Sequence, residues 1–182
     1  MQIARENERL PVTEARAGNS DAWTVLLARF RLPLYAYVFE LVSDEQASLD
    51  IVQESFINAA RYIHSLRRDE KFGSWLFNIA HQKCVHHWRK QQRLWVSIGA
   101  EEKEIAGDDA GPRELLIRKE QEEECMQLLN QLPLPQRSVL LLHFIEDFSI
   151  EEIAEITGAQ TGTVKSRLHY ARKALKKLLE EK

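Results

Sequence analysis

Residues 148–168 read FSIEEIAEITGAQTGTVKSRL. Ser149 and, three residues on, Glu152 form a capping box, in which each side chain satisfies a backbone N–H at the start of a helix. The helix opened there is short, Ile150 to Thr157, and it ends at Gly158, the residue type that most easily takes the left-handed conformation after a last turn. Three residues later Thr161 is placed to cap a longer helix, whose Val164, Leu168, Ala171, Leu175 and Leu178 fall on one stripe. Ala154 is small where the two helices approach. The pattern is helix, glycine turn, helix.

The face of the longer helix opposite Val164 presents Gly162, Ser166, His169 and Lys173, flanked by Thr163, Lys165 and Tyr170. Small and hydroxyl-bearing residues at a helix start let it enter a major groove, where hydroxyls and a lysine reach base edges. Arg172, Lys176 and Lys177 stand further along, where a helix leaving the groove meets phosphate. A basic, solvated helix closing a three-helix bundle would share this composition. The conjunction of capping box, short helix, glycine turn and hydroxyl-rich start favours DNA. So do six basic residues without an acid between Gly158 and Leu179.

The charge of the whole chain, −3 over 182 residues, hides this local feature. Residues 1–96 sum to +2, residues 97–132 to −6 and residues 133–182 to +1. A basic stretch behind an acidic middle is the electrostatic footprint of a local nucleic-acid contact. No run approaches the ~20 apolar residues of a membrane helix, and the polar start, Met1 to Glu14, lacks a signal-peptide core. The expectation is a cytoplasmic protein without direct membrane insertion. Cys84 and Cys125 are too few for a disulfide framework.

Upstream, Leu132-Pro133-Leu134-Pro135 ends one helix and starts another that runs to about Phe144, with Val139, Leu140 and His143 or Phe144 turned inward. Residues 97–113, SIGAEEKEIAGDDAGPR, carry three glycines, a proline and a run of acids, and read as a flexible linker or a solvated loop. The expected architecture is therefore all-α: two small helical domains, residues 18–96 and 114–182, joined by the linker 97–113 and preceded by a tail, 1–17. In the first domain Ser20 is placed to cap a helix with Trp23, Leu26, Leu27 and Phe30 inward. Pro33 suits the first turn of the next, with Leu34, Val38 and Leu41 inside. Ser43 with Gln46 suggests a capping box for a helix that divides cleanly by face. Leu49, Val52, Phe56, Ala59, Ala60 and Ile63 lie on one side, and Asp50, Gln53, Glu54, Asn58 and Arg61 on the other. After a basic irregular loop, Ser65 to Gly73, a helix opened by Ser74 carries Trp75, Leu76, Ile79, Ala80, Cys84 and Trp88 inward.

His81, Cys84, His86 and His87 invite a metal or redox reading, since His81, Cys84 and His87 are spaced by three and can share a helix face. Cys84, however, falls on the apolar stripe, where a free thiol behaves as a small hydrophobe. Packed or DNA-facing histidines are the other reading, and no metal or cofactor is assigned. No glycine-rich phosphate loop, Ser/His/Asp set or paired acids appear, so no catalytic residue is assigned either.

Several of these segments together resemble a family. Leu132-Pro133, Arg137 to Leu140, Ile150 to Ala154 and Gly162 to Leu168 are similar to region 4 of bacterial sigma factors. Asp50 to Phe56, DIVQESF, followed by Phe72 to Ala80, FGSWLFNIA, resembles sigma region 2 in the expected order. The closest group is the extracytoplasmic-function (ECF) type. The resemblance implies a factor that binds core RNA polymerase through its β′ and β subunits, directs it to promoter DNA and starts strand opening. It assigns Asp50, Gln53, Glu54 and Asn58 to polymerase docking. It assigns Arg67, Arg68, Lys71, Trp75, Gln82, His86 and Arg89 to the −10 element and its melting, and Thr161, Thr163, Lys165, Ser166, Arg167, His169, Tyr170 and Lys173 to the −35 element. An anti-sigma factor is the implied inhibitor. Many relatives carry Arg-Asn and a later Asp where His81-Gln82 and His86 stand here, which bears on −10 preference. The competing reading is a stand-alone helix-turn-helix regulator with an N-terminal dimerisation or sensor module.

Overall fold

The computed structural model describes residues 10–98 and 128–180, all helix and connecting turn. The helices are α1 (Val12–Arg16), α2 (Ser20–Val42), α3 (Glu45–Tyr62), α4 (Phe72–Ile98), α5 (Leu134–Phe144), α6 (Ile150–Thr157) and α7 (Thr161–Glu180). Two 3₁₀ turns, Ile63–Ser65 and Asp69–Lys71, fill the connection from α3 to α4. There is no strand among the described residues. Most of the expected linker, residues 99–113, lies outside them. Ser97 and Ile98, placed in that linker by composition, continue α4.

α2 departs from the two helices expected around Pro33: it is one helix with the proline inside. A helix-interior proline costs ~3 kcal/mol, and burying one large apolar side chain returns ~1.5–3 kcal/mol. Leu26 and Phe30 before Pro33, and Leu34, Tyr37, Val38 and Leu41 after it, all enter the same core, so continuity wins. Its N-cap is Asn19, not Ser20; the Asn19 side chain accepts from the N–H groups of Asp21 and Ala22. Ser43 is not an N-cap either. It closes α2 in the left-handed region at φ 53°, and Asp44 caps α3 by accepting from Ala47 N. Gln46 instead donates to Asp50.

α4 begins at Phe72, and Ser74 lies inside its first turn, donating to Lys71 O. Leu76, Phe77, Ala80, His81 and Cys84 form its buried face. Trp88 is exposed because the helix outruns the core there. The stretch expected as an N-terminal tail includes α1, whose Val12 and Ala15 are buried.

In the described part of the second half, α5 packs on α6 and α7. α5 spans the expected residues, but Phe144 is exposed and carries the Arg172 guanidinium 4.7 Å above its ring. The capping box forms: Ser149 Oγ accepts from Glu152 N at 3.2 Å, and Glu152 Oε2 accepts from Ser149 N at 3.1 Å. Gly158 takes φ 66°, the left-handed stop that α6 needs before the chain turns back. α7 begins at Thr161 itself, with Val164, Leu168 and Ala171 buried.

The two halves share one core. Phe77 of α4 meets Phe148 edge-on, with centroids 5.1 Å apart. Each half also caps a helix of the other. Asn78 Nδ2 donates to Glu155 O at 3.0 Å and Ile156 O at 2.8 Å, in the last turn of α6. Arg137 Nη2 donates to Leu41 O at 3.2 Å, in the last turn of α2. Carbonyls of a last turn lack intrahelical partners, so a donor there replaces water rather than another bond.

Candidate nucleic-acid interface

Three surfaces hold the residues singled out by sequence. The first is the exposed face of α7. Thr161, Lys165, Ser166, His169, Tyr170 and Lys173 are all exposed. Ser166, His169, Tyr170 and Lys173 recur at helical spacing, so they form one continuous face. Ser166 Oγ donates to Thr163 O at 2.9 Å, and the His169 and Tyr170 rings meet edge-on at 5.6 Å. Thr163, two turns before Tyr170, borders that face, and both it and Arg167 are half-buried. Arg167 turns towards α4, close enough for its charge to act on His81.

The second surface starts at the loop before α4. Ser65, Arg67, Arg68, Lys71, Ser74 and Trp75 line an open cavity with Asn78 and, from the other half, Glu155. Arg67 and Arg68 are exposed; Lys71 is half-buried and lies 3.5 Å from Glu152 and 3.4 Å from Glu155. Gln82, His86 and Arg89 follow Trp75 by seven, eleven and fourteen residues. Each interval is close to a whole number of turns, so all four share the side of α4 opposite its core face. Asn78 continues this line from the loop cavity into a groove between α3 and α4, which Gln82, Lys83, His86, His87 and Lys90 line. Basic and aromatic groups along one path can hold the phosphates and stacked bases of a single strand.

The third surface is α3, and here the expected set divides. Asp50, Glu54 and Asn58, each four residues from the next, face the α4 groove, where Glu54 pairs with Lys83 at 2.6 Å. Gln53 looks the other way. It lines a groove between α2 and α3 with Leu27, Leu32, Tyr35, Leu49 and Ile57. Leu49, expected inward, is 47% exposed; Ile57 is 50% and Leu32 60% exposed. Ala60 is exposed as well, because the core takes Ile51, Val52, Ser55, Phe56 and Ala59. This apolar groove escaped the sequence reading, which placed Leu27 and Leu49 in the core. Its trace in the sequence is Leu49, Gln53 and Ile57 at four-residue spacing, a mixed row beside the buried stripe.

The histidine and cysteine cluster is dispersed. His81 is buried, 2.8 Å from Tyr37 Oη at its Nδ1. Burial first, and then the charge of Arg167, bring its pKa down to about 4. The ring is therefore neutral and shares a hydrogen bond with the Tyr37 hydroxyl at Nδ1, and burial holds Tyr37 protonated by raising its pKa well above the ordinary value. Cys84 is buried and burial pushes its thiol up to about 12. His86 is exposed, and His87 is half-buried with Nε2 2.9 Å from Gln91 Nε2. Among the described residues no three His, Cys, Asp or Glu side chains converge on a position that would hold a metal. No described helix is long and apolar enough to cross a membrane.

Comparison with known proteins identifies the family. Residues 26–94 match the family Sigma-70 region 2, and residues 122–175 match Sigma-70, region 4. The chain is 30% identical to the RNA polymerase sigma-H factor of Pseudomonas aeruginosa over 98% of its length and 96% of that protein. It is also 30% identical to the ECF RNA polymerase sigma-E factor of Escherichia coli, covering 92% of each chain. Among solved structures it resembles the sigma factor RpoE of Bartonella quintana, determined in complex with the anti-sigma factor NepR. The TM-score is 0.70 at 28% identity, over 86% of this chain and 96% of that one. A region 2 unit with its loop and basic helix, followed by a region 4 helix-turn-helix, makes this chain a member of the ECF RNA polymerase sigma factors.

Proposed function

We propose that the chain brings core RNA polymerase to bipartite promoters, reads their −35 element with α7, and opens the duplex at the −10 element with the 63–71 loop and α4. One observation carries this reading: an exposed helix-turn-helix face and a basic cavity walled by an aromatic ring occur in the same chain. A duplex reader needs only the first. Holding an unpaired strand needs the second, cations for phosphate and a ring for a base.

Thr161, Lys165, Ser166, His169, Tyr170 and Lys173 contact the major groove, and Thr163 and Arg167 join them at its edge. Trp75, Gln82, His86 and Arg89 follow the opened strand, with Arg67, Arg68 and Lys71 against its phosphates. Polymerase docks on α3, where the Asp50, Glu54 and Asn58 row supplies charge complementarity and Gln53, within the apolar groove, supplies contact area. The functional units are residues 18–96 and 114–182, with 97–113 between them. The polymerase performs all covalent chemistry, in the cytoplasm; this factor supplies the address and the first melted bases. An anti-sigma factor, the kind of partner in the Bartonella quintana complex, is its inhibitor.

Use of both elements requires the halves to part. Positions −35 and −10 are roughly 25 base pairs apart, or ~85 Å along a duplex at ~3.4 Å per pair, whereas α4 touches α6 directly. Promoter engagement therefore breaks the Asn78 caps and releases Lys71 from Glu152 and Glu155.

Paired variants test the division of labour. Lys165→Ala or Ser166→Ala should weaken −35 protection in a footprint and leave polymerase affinity intact. Asp50→Asn with Gln53→Ala should do the reverse. If both sets lose the same step, the assignment is wrong.

A further inference from the structure

We infer that Arg16, assisted by Thr13, is a positioning residue for promoter opening: it holds the 63–69 loop in the conformation that presents Arg67 and Arg68 to DNA. The inference rests on the proposed role of that loop. It goes beyond it by assigning a function to α1, which neither lines the loop cavity nor reaches the DNA-facing side of α4.

α1 is anchored independently of the loop. Val12 and Ala15 are buried in the core, and Trp23 Nε1 donates to Ala15 O at 3.1 Å. From this fixed base the Arg16 guanidinium reaches both ends of the loop tip. Nη2 donates to Leu66 O at 3.1 Å and pairs with Asp69 Oδ1 at 2.6 Å; Nε lies 3.5 Å from Ile63 O. Thr13 Oγ1 donates to the other Asp69 oxygen, Oδ2, at 2.5 Å. Leu66 and Asp69 flank Arg67 and Arg68 directly, so α1 pins the chain on both sides of two exposed arginines.

The guanidinium is suited to this task. Its rigid fork carries five donors and serves two carbonyls and a carboxylate at once, whereas a lysine ammonium acts as a compact point charge. Ordering one backbone residue costs ~1–2 kcal/mol, and a loop held in advance has met that cost before DNA arrives. Without the clasp the same arginines are present but must be ordered during strand opening, so the loss falls on opening rather than on docking.

The test uses full-length Arg16→Ala, Arg16→Lys and Thr13→Val with core polymerase on two templates: an ordinary duplex promoter, and the same promoter with a mismatched, pre-opened −10 region. Opening of the duplex promoter is read by permanganate reactivity of its thymines, initiation on both templates by run-off transcript, and polymerase affinity is measured separately. Arg16→Ala and Arg16→Lys should each open the duplex promoter about tenfold less, with polymerase affinity unchanged and the loss at least fivefold smaller on the pre-opened template. Thr13→Val removes an exposed hydroxyl that cannot threaten folding, and should give a two- to threefold defect of the same kind. Equal losses on both templates, wild-type opening by Arg16→Lys, or reduced polymerase affinity in step with opening would overturn the inference. A wild-type chain that supports transcripts from neither template would instead refute the function proposed above.

Discussion

Replacing Asn78 by Ala should loosen the two halves from each other without unfolding either. Asn78 donates from α4 to two carbonyls in the last turn of α6, at 2.8 and 3.0 Å. A net protein hydrogen bond is worth about 0.5–1.5 kcal/mol. One of these two is solvent-exposed and the other partly buried, so the pair contributes about 1–2 kcal/mol to the closed arrangement. The freed carbonyls recover water, which keeps the cost at this end of the range. A change of that size multiplies the open population by roughly 5–30. The assay is energy transfer between dyes on Arg61→Cys and Glu151→Cys, one exposed site in each half, with Cys125 replaced by Ser. Cys84 is buried with its thiol pushed up to about 12, and will not label. Apparent polymerase affinity should rise with the open fraction, because a binding-competent state populated at fraction f weakens apparent affinity by that fraction. Unchanged transfer and unchanged affinity, with the melting temperature also unchanged, would show that Asn78 does not hold the halves together.

Other expectations follow from single residues. Glu146 is 2% exposed, its Oε2 accepts no hydrogen bond among the described residues, and burial raises its pKa to about 7. The folded chain then binds this proton more tightly than the unfolded chain does. Its contribution is complete below about pH 4.5, is lost as pH climbs towards 7, and stays lost above. Glu146→Gln should stabilise the protein by about 1–2 kcal/mol at pH 7.5 and have little effect at pH 4.5, as read by urea unfolding. His81 works in the opposite sense: its pKa of about 4 makes stability rise from pH 4 to 6.5, so that variant must be compared with wild type at each pH. Gly158→Ala meets no atom within 4 Å of the added Cβ but must hold φ 66°, which should cost ~1 kcal/mol of stability and lower −35 affinity in proportion. Leu49→Asp with Ile57→Asp places charge in the exposed groove, and should weaken polymerase binding at least tenfold while leaving the melting temperature within a few degrees.

The features legible in the sequence were those decided by neighbours along the chain. Ser149 with Glu152, Gly158, and the stripe from Val164 to Ala171 each owe their form to residues within a turn or two, and all stand where local chemistry puts them. Pro33 misled because its penalty is local while the reward, a core shared by Phe30 and Tyr37, is not. Ser43 misled because serine serves at either end of a helix, and Asp44 beside it is an equally good N-cap. Leu49 is apolar and in phase with the α3 stripe, yet no described helix covers it; hydropathy alone does not reveal which apolar residues stay exposed. The contacts between halves were beyond reach for the same reason. Lys71 with Glu152 and Glu155, Asn78 with α6, and Arg137 with α2 are all separated by more than seventy residues. None of these side chains is distinctive in sequence until the fold brings its partner near.

Whether the chain directs polymerase to promoters is decided by run-off transcription with core polymerase, with and without the purified chain, on a library of promoter fragments. Discrete transcripts should appear that need both the chain and recognisable −35 and −10 elements, and that disappear with Lys165→Ala combined with Ser166→Ala. Tight, specific binding of the chain alone to a palindromic duplex, with no transcripts and no association with polymerase, would contradict that role.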